Sequence, residues 1–361
     1  MNWKYQVGNN QYHNKLHAVQ YSIESGNPIY FISPSEYETF DFSREPEQPL
    51  DELLADHAQN IRQNNKTVRL YYSGGSDSDL MLRTFIKNKI HIDEIICWKC
   101  GIPSADFEID QHAIPRLKNL ALPGTKITIN QPTINDYLNF YKEGVSQRKI
   151  DLGIYNFNTH IRIIEQIEQF KEENTQEGVA NIRGMAEPTV INKDGHWYTY
   201  FIDGNLEPNS FTHNFFSDDP KIQCKQSHMS LELIKRVGTD IWQNEKEYRA
   251  ATGRSVENNE FPSKKLFFGS TDNFFIFRGN KIHYANNKEK IALEYLMDNN
   301  PDIVDLWHEN MLELIKLTKN QWWNKNHPEL GMVGVFSNFY CLTDKSTKTV
   351  DQLFPDGFKS Q

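Results

Sequence analysis

Apolar positions between residues 67 and 130 come in two alternating rhythms. Short runs of strand length are followed by segments with helical spacing. Val68-Arg69-Leu70-Tyr71-Tyr72 predicts a strand that stops at Gly74-Gly75. Leu80 to Asn88 predicts a helix, with Leu80, Met81, Phe85 and Ile86 as its apolar contacts. Ile95-Ile96-Cys97-Trp98 predicts a second strand and Phe107 to Leu120 a second helix. Pro115 should bend or break that helix, because its ring lacks an N–H and crowds the preceding turn. Lys126-Ile127-Thr128-Ile129 predicts a third strand. Strand and helix in alternation imply parallel strands joined by right-handed crossovers. The expected fold class is therefore α/β, a doubly wound, mainly parallel sheet.

The flanking pattern is less regular. Residues 1–66 offer one strand, Ile29–Ile32. A Pro- and Glu-rich stretch, Glu45-Pro46-Glu47-Gln48-Pro49, leads into a helix with Leu50, Leu53, Leu54, His57 and Ile61 on one face. Further on, Tyr155 to Phe170 reads as a helix and Gly178 to Arg183 as a strand. A hairpin follows, Thr189-Val190-Ile191 and Trp197 to Ile202 about a turn at Lys193-Asp194-Gly195. A second hairpin is expected over Phe274 to Tyr284, and a long helix over Ile303 to Trp322. This divides the chain into a short N-terminal extension (1–66), a central α/β domain (67–230) and a mainly helical C-terminal region (231–361).

Composition narrows the class. The 361 residues are 24% charged and 38% hydrophobic, an ordinary globular mixture. The net charge of -9 and the lack of a dense Lys/Arg run give no indication of general nucleic-acid binding. Four cysteines in this length argue for a reducing compartment. No stretch approaches the roughly 18 apolar residues of a membrane span, and the first residues have no apolar core. A cytoplasmic protein without a membrane partner is expected.

Candidate chemistry centres on Ser73-Gly74-Gly75-Ser76-Asp77-Ser78, where a strand stops, two glycines turn the chain and a helix begins. Glycines let the backbone approach an anion closely, and the amide groups opening the helix point at it along the helix dipole. Ser73, Ser76 and Ser78 add hydroxyls. A carboxylate at Asp77 would repel phosphate unless Mg²⁺ lay between them. No Gly-x-x-x-x-Gly-Lys-Ser/Thr loop offers an alternative.

These six residues resemble the Ser-Gly-Gly-x-Asp-Ser signature of the PP-loop ATP pyrophosphatases, a superfamily that includes asparagine synthetase, 7-cyano-7-deazaguanine synthase and tRNA-thiolating enzymes. The resemblance covers residues 67 to 230. It implies an adenine-nucleotide α-hydrolase-like fold, with ATP and Mg²⁺ as cofactors. ATP would be cleaved to AMP and pyrophosphate so as to adenylate a carboxylate or carbonyl oxygen, which an amine, ammonia or sulfur nucleophile then attacks. Asparagine-synthetase-like amide formation is the favoured form. The resemblance places Trp98 near adenine, and Gly184 and Glu187 beside pyrophosphate, with Arg183 a possible phosphate contact. Asp77 and Glu187 would hold the metal. Lys225, beyond that segment and ahead of an expected helix, would act in catalysis, with Lys264 and Lys265 as alternatives. Residue 2 is Asn2 rather than a cysteine nucleophile, so ammonia or an amine would come from outside.

The chain departs from the family at Asp79, where a small or hydroxyl residue is common; an acid there would serve the metal, cap the helix or face solvent. Cys97 and Cys100 form a Cys-x-x-Cys, but Cys97 alternates with apolar residues and no metal is expected there. No His-x-x-x-His pair is joined by a third zinc ligand. Two other readings stay open: a nucleobase-modifying enzyme acting on tRNA or in DNA modification, and a nucleotide-binding module without turnover.

Overall fold

The computed structural model describes residues 3–13, 15–103, 105–107, 109–120, 122–144, 178–184, 189–201, 212–237, 267–270, 288–318 and 336–353. Its first elements are β1 (Lys4–Val7), β2 (Asn10–Tyr12), α1 (Lys15–Ser25), β3 (Ile29–Ile32), α2 (Ser35–Thr39) and α3 (Leu50–Asn64). The alternating segment follows as β4 (Thr67–Tyr71), α4 (Ser76–Lys87), β5 (Glu94–Trp98), a π-helical turn (Ile109–Ala113), α5 (Ile114–Asn119), β6 (Lys126–Asn130) and α6 (Ile134–Glu143). Then come β7 (Val179–Arg183), β8 (Thr189–Lys193), β9 (His196–Tyr200), β10 (Thr212–Asn214), α7 (Pro220–Val237), β11 (Phe267–Ser270), α8 (Lys288–Asn299), α9 (Pro301–Thr318), β12 (Phe339–Cys341), β13 (Thr347–Lys348) and α10 (Val350–Leu353).

The fold is α/β, built on a five-stranded sheet in the order β10-β7-β4-β5-β6. Every pairing in it is parallel. The chain starts in the middle at β4, moves outward through β5 and β6, then returns to the other side of β4 for β7 and β10. The direction of winding therefore reverses between β4 and β7. At such a switch point the connections leaving the strand ends diverge and open a crevice at the carboxyl edge of the sheet.

The core of this sheet joins Val68, Leu70, Ile95, Cys97, Ala180 and Ile182 to the apolar faces of α3 and α4: Leu53, Leu54, Ala58, Ile61, Met81, Leu82 and Phe85. Side chains of this size contribute about 1.5–3 kcal/mol each when fully buried. Charged side chains close the amino edge. Arg62, in the last turn of α3, donates to the Asn65 and Lys66 carbonyls and to the Asp93 carboxylate. Glu94 takes hydrogen bonds from Arg69 on β4 and from Lys126 and Thr128 on β6, each at 2.5–2.8 Å. Pro115 acts as expected: the helix before it widens into a π turn and restarts with proline in its first turn, where no N–H is needed.

A second core lies under two antiparallel sheets. One is β2-β1-β3; the other is β11-β8-β9-β12-β13. Trp3, Tyr5 and Val7 alternate inward from β1 and meet Phe31, Tyr37, Phe42, Phe201 and Tyr340 in an aromatic cluster. Trp3 stacks on Phe31 with ring centres 5.0 Å apart, and Phe42 on Tyr340 at 4.6 Å. The N-terminal segment is thus split, residues 3–42 packing in this second core and α3 in the first. The C-terminal region contributes α8 and α9, but also β11, β12 and β13, which complete the sheet begun by the β8–β9 hairpin. The hairpin turn has positive φ at Asp194 (53°) and Gly195 (83°), the geometry favoured in two-residue hairpins. The helix expected over Tyr155–Phe170 and the hairpin over Phe274–Tyr284 lie outside the described residues. Among the described residues, no helix is long and apolar enough to cross a membrane.

Candidate nucleotide site at the carboxyl edge

The loop Tyr72–Gly75 leaves the central strand β4 and opens α4 at the switch point. Two glycines fix its path for different reasons. Gly74 has φ +79°, and a Cβ there would lie 3.0 Å from the Ala113 Cβ on the π turn. Gly75 is extended (φ -70°) and caps α4 without a side-chain hydrogen bond. By contrast α6 carries a full capping box between Thr133 and Asp136. The first amide groups of an α-helix have no partner within the helix, so an uncapped start on glycine leaves room for an external acceptor.

Two of the three serines brace the loop. The Ser78 hydroxyl lies 3.1 Å from the Gly75 carbonyl, 3.3 Å from the Ser73 amide and 3.2 Å from the Ser73 hydroxyl. The Gly75 amide donates to Ser73 Oγ at 3.3 Å. Ser78 is buried, whereas Ser73 is exposed and Gly74, Gly75 and Asp77 are half-buried. Ser76 opens the helix.

Gly184, the residue after β7, closes the other side of the crevice. A Cβ there would fall 2.9 Å from the Asp77 carbonyl carbon and 2.9 Å from the Ser78 nitrogen. Backbone touches backbone at this point, and no side chain fits between. Arg183, at the end of β7, is buried with its guanidinium 5.7 Å from the centre of the Tyr71 ring at the end of β4. Trp98 ends β5 half-buried. Its indole N–H is shielded from solvent and has no hydrogen-bond acceptor among the described residues. The turn after β5 is held by Asp106, which accepts from the Cys100 and Gly101 amides at 2.6 and 2.9 Å.

Asp79 is engaged within the protein. It pairs with Arg116 of α5 at 2.7 Å and with Arg83 one turn along α4 at 2.9 Å, and the Tyr72 hydroxyl lies 3.3 Å away. Burial and then the Asp79 charge push the Tyr72 phenol well above its ordinary value, so it stays a donor. This extra acid ties the loop to α5.

Lys225 is likewise occupied. It lies within α7 rather than ahead of a helix. Its ammonium pairs with Glu45 at 2.6 Å and donates to the Pro46 carbonyl at 3.0 Å, on the segment leading into α3. Glu187, Lys264 and Lys265 lie outside the described residues. The two thiols of the Cys-x-x-Cys belong to different cores, Cys97 under the parallel sheet and Cys100 in the aromatic one. Burial pushes the Cys97 thiol up to about 12, which keeps it protonated at neutral pH.

One group was not foreseen. His213 on β10 pairs with the buried Asp218 at 3.2 Å. His57 of α3 contributes a buried ring whose Nε2 has no hydrogen-bond partner. Burial pushes His57 below its ordinary value against the opposing pull of Asp218 and Asp219. The sequence signal was the acidic turn Ser217-Asp218-Asp219-Pro220 following a short strand. Comparison with protein-family models, with curated proteins and with solved structures finds no match for this chain.

Proposed function

We propose that this chain is a PP-loop ATP pyrophosphatase, an adenine-nucleotide α-hydrolase-like enzyme that adenylates an acceptor oxygen with release of pyrophosphate. One observation carries the reading: the Ser73–Ser78 loop leaves the central parallel strand at the point where winding reverses, with Gly184 against its backbone. A strand, a glycine turn and an uncapped helix start at that position make a cradle for phosphate oxygens.

The residues present fit Mg²⁺-ATP. Bound there, it supplies an electrophilic α-phosphorus, whose attack by an acceptor oxygen leaves the acceptor joined to AMP. In this reading the amide groups opening α4 bind the pyrophosphate portion, and Gly74 and Gly75 allow their close approach. Asp77, with Glu187 as its proposed companion, holds the metal. The half-buried Trp98 ring at the end of β5 lies on the side of the base. Arg183 screens charge from the end of β7. A role for Lys225 would require it to exchange Glu45 for substrate.

The acceptor is a carboxylate or a carbonyl oxygen, with amide formation favoured. A nucleobase acceptor is the alternative, and binding without turnover is a third reading. The test is product identity. Mg²⁺-ATP is incubated with the protein and a panel of carboxylic acids, amine donors and tRNA. AMP and pyrophosphate in equal amounts support the proposal, whereas ADP and orthophosphate as the main products overturn it. Asp77→Asn should abolish this turnover and weaken the Mg²⁺ dependence of ATP binding.

A further inference from the structure

The second antiparallel sheet brings together a set of side chains that the nucleotide reading does not use. β9 begins at His196, straight after the tight Asp194–Gly195 turn, and its neighbour β12 ends at Cys341. Cys341 pairs with Tyr198, and the Leu342 amide continues the pairing by donating to the Trp197 carbonyl at 2.7 Å. That register carries the next residues, Thr343 and Asp344, alongside His196. The loop then closes on itself. The Cys341 amide donates to the Ser346 carbonyl at 3.0 Å, and the Ser346 amide to Asp344 Oδ1 at 2.7 Å. The other Asp344 oxygen, Oδ2, faces His196 Nδ1 at 3.3 Å. One ligand-type atom of each of His196, Cys341 and Asp344 lies within 4.8 Å of the other two.

We infer that His196, Cys341 and Asp344 form a binding site for a divalent transition-metal ion of the zinc class. An imidazole, a thiolate and a carboxylate are the donors such an ion takes, and together they bring two negative charges to neutralise it. With metal–ligand bonds of about 2.1 Å, two ligands of a tetrahedral ion stand about 3.4 Å apart. The His196–Asp344 pair is already at that separation. The Thr343 hydroxyl lies 3.2 Å from Cys341 Sγ and 3.4 Å from His196 Nδ1, bridging the third ligand to the first. Three protein ligands leave a fourth position for water. Lys345, the cation next in sequence, is turned away onto Asp41 at 3.1 Å. Binding replaces the Cys341 S–H bond with a sulfur–metal bond and releases that proton to solvent. Affinity should therefore fall as pH is lowered. The ion would fasten the start of β9 to the loop after β12 and so tie two distant parts of the chain together.

The probe is Co²⁺, whose thiolate complexes show a charge-transfer band. Full-length protein stripped with a chelator is titrated with Co²⁺. The expected result is a band that saturates at one equivalent and is abolished by excess Zn²⁺. Cys341→Ser should remove the band. His196→Ala and Asp344→Asn should each weaken binding roughly tenfold or more, a loss typical of damage to a metal site. His196 is exposed, so its variant keeps the test meaningful if Cys341→Ser fails to fold. Zn²⁺ should also raise the melting temperature of the wild type and not that of His196→Ala. The proposal is overturned if no band appears. It is equally overturned if a band survives Cys341→Ser and disappears in Cys97→Ser or Cys100→Ser, which would put the ion on the other pair.

Discussion

The two cores of this molecule are assembled in different ways. The parallel sheet draws three of its strands and the glycine loop from one continuous run, residues 67–130, with β7 and β10 added later. The aromatic core takes Trp3 and Tyr5 from the start of the chain, Phe201 from its middle, Ala292 and Leu296 from α8, and Tyr340 from near its end. In the first, β4, β5 and β6 are near neighbours in sequence as well as in space. In the second, neighbours in space are far apart in sequence, and shape complementarity between rings replaces local pattern. Such an arrangement makes the first core the bearer of a local motif and the second the clamp that joins the ends.

The largest expected effect follows from that contrast. Trp3→Ala removes a fully buried ring from the clamp and should cost about 3–5 kcal/mol in urea unfolding. Mg²⁺-ATP affinity of the protein that remains folded should not change. Loss of affinity in parallel with stability would show that the cores act as one. Gly75→Val is the reverse experiment. Its Cβ meets only Ser73 Oγ, at 3.3 Å, and the backbone there is extended. The fold should survive, while the branched side chain blocks the phosphate approach. Calorimetry should show a loss of Mg²⁺-ATP affinity of about hundredfold, or about 2.7 kcal/mol. Unchanged affinity would count against the site.

A smaller effect is expected at the junction between loop and α5. Asp79→Asn removes the charge that Arg83 and Arg116 share. Both arginines are nearly half exposed, so the stability loss should be only about 1 kcal/mol. Its readout is melting temperature together with nucleotide affinity. A loss of affinity larger than the loss of stability would mean that the clamp positions the loop.

The smallest effect is in acid. Burial pushes the Glu94 carboxyl up, but hydrogen bonds from Lys126, Thr128 and Arg69 outweigh it and hold it below its ordinary 4.5. Asp93 is also lowered: burial pushes it up, and the Val68 amide and Arg62 more than offset that. A carboxyl depressed in the folded state contributes stability that is fully present above its unfolded value and is lost as pH falls through the folded one. The melting temperature should therefore drop as pH goes below about 4.5, and Glu94→Gln should make that drop shallower. An unchanged slope in the variant would remove Glu94 from the account.

Much of the parallel sheet was legible because its strands are short apolar runs separated by helical spacing. Val68, Leu70, Ile95 and Cys97 are all fully buried. The break at Pro115 and the strand ending at Arg183 were legible for the same local reasons. Other signals were present but weak. Trp3-Lys4-Tyr5-Gln6-Val7 alternates with period two, and its polar positions hid a strand inside what read as an extension. Thr133 and Asp136 are three apart, the spacing of the box that starts α6.

The first turns of α7 escaped for a physical reason. Their inner side buries Gln223, Gln226, Ser227 and Ser230, so hydrophobic spacing could not mark them. Among the described residues both amide atoms of Gln226 lack hydrogen-bond partners, an arrangement no propensity scale anticipates. This same misreading put Lys225 ahead of a helix and free for chemistry. The cluster of His196, Cys341 and Asp344 was invisible for another reason: Cys341 looked isolated because its partner strand begins at His196, far back in the chain.

Contact between Gly184 and the backbone of Asp77 and Ser78 sets a rule for descent. Two peptide units that touch leave no volume for a side chain, so any substitution at Gly184 must move the loop. A distant cousin of this chain that keeps the loop should keep a residue without a side chain at the end of the adjoining strand. The pair would be inherited together even where the rest of the sequence has drifted beyond comparison.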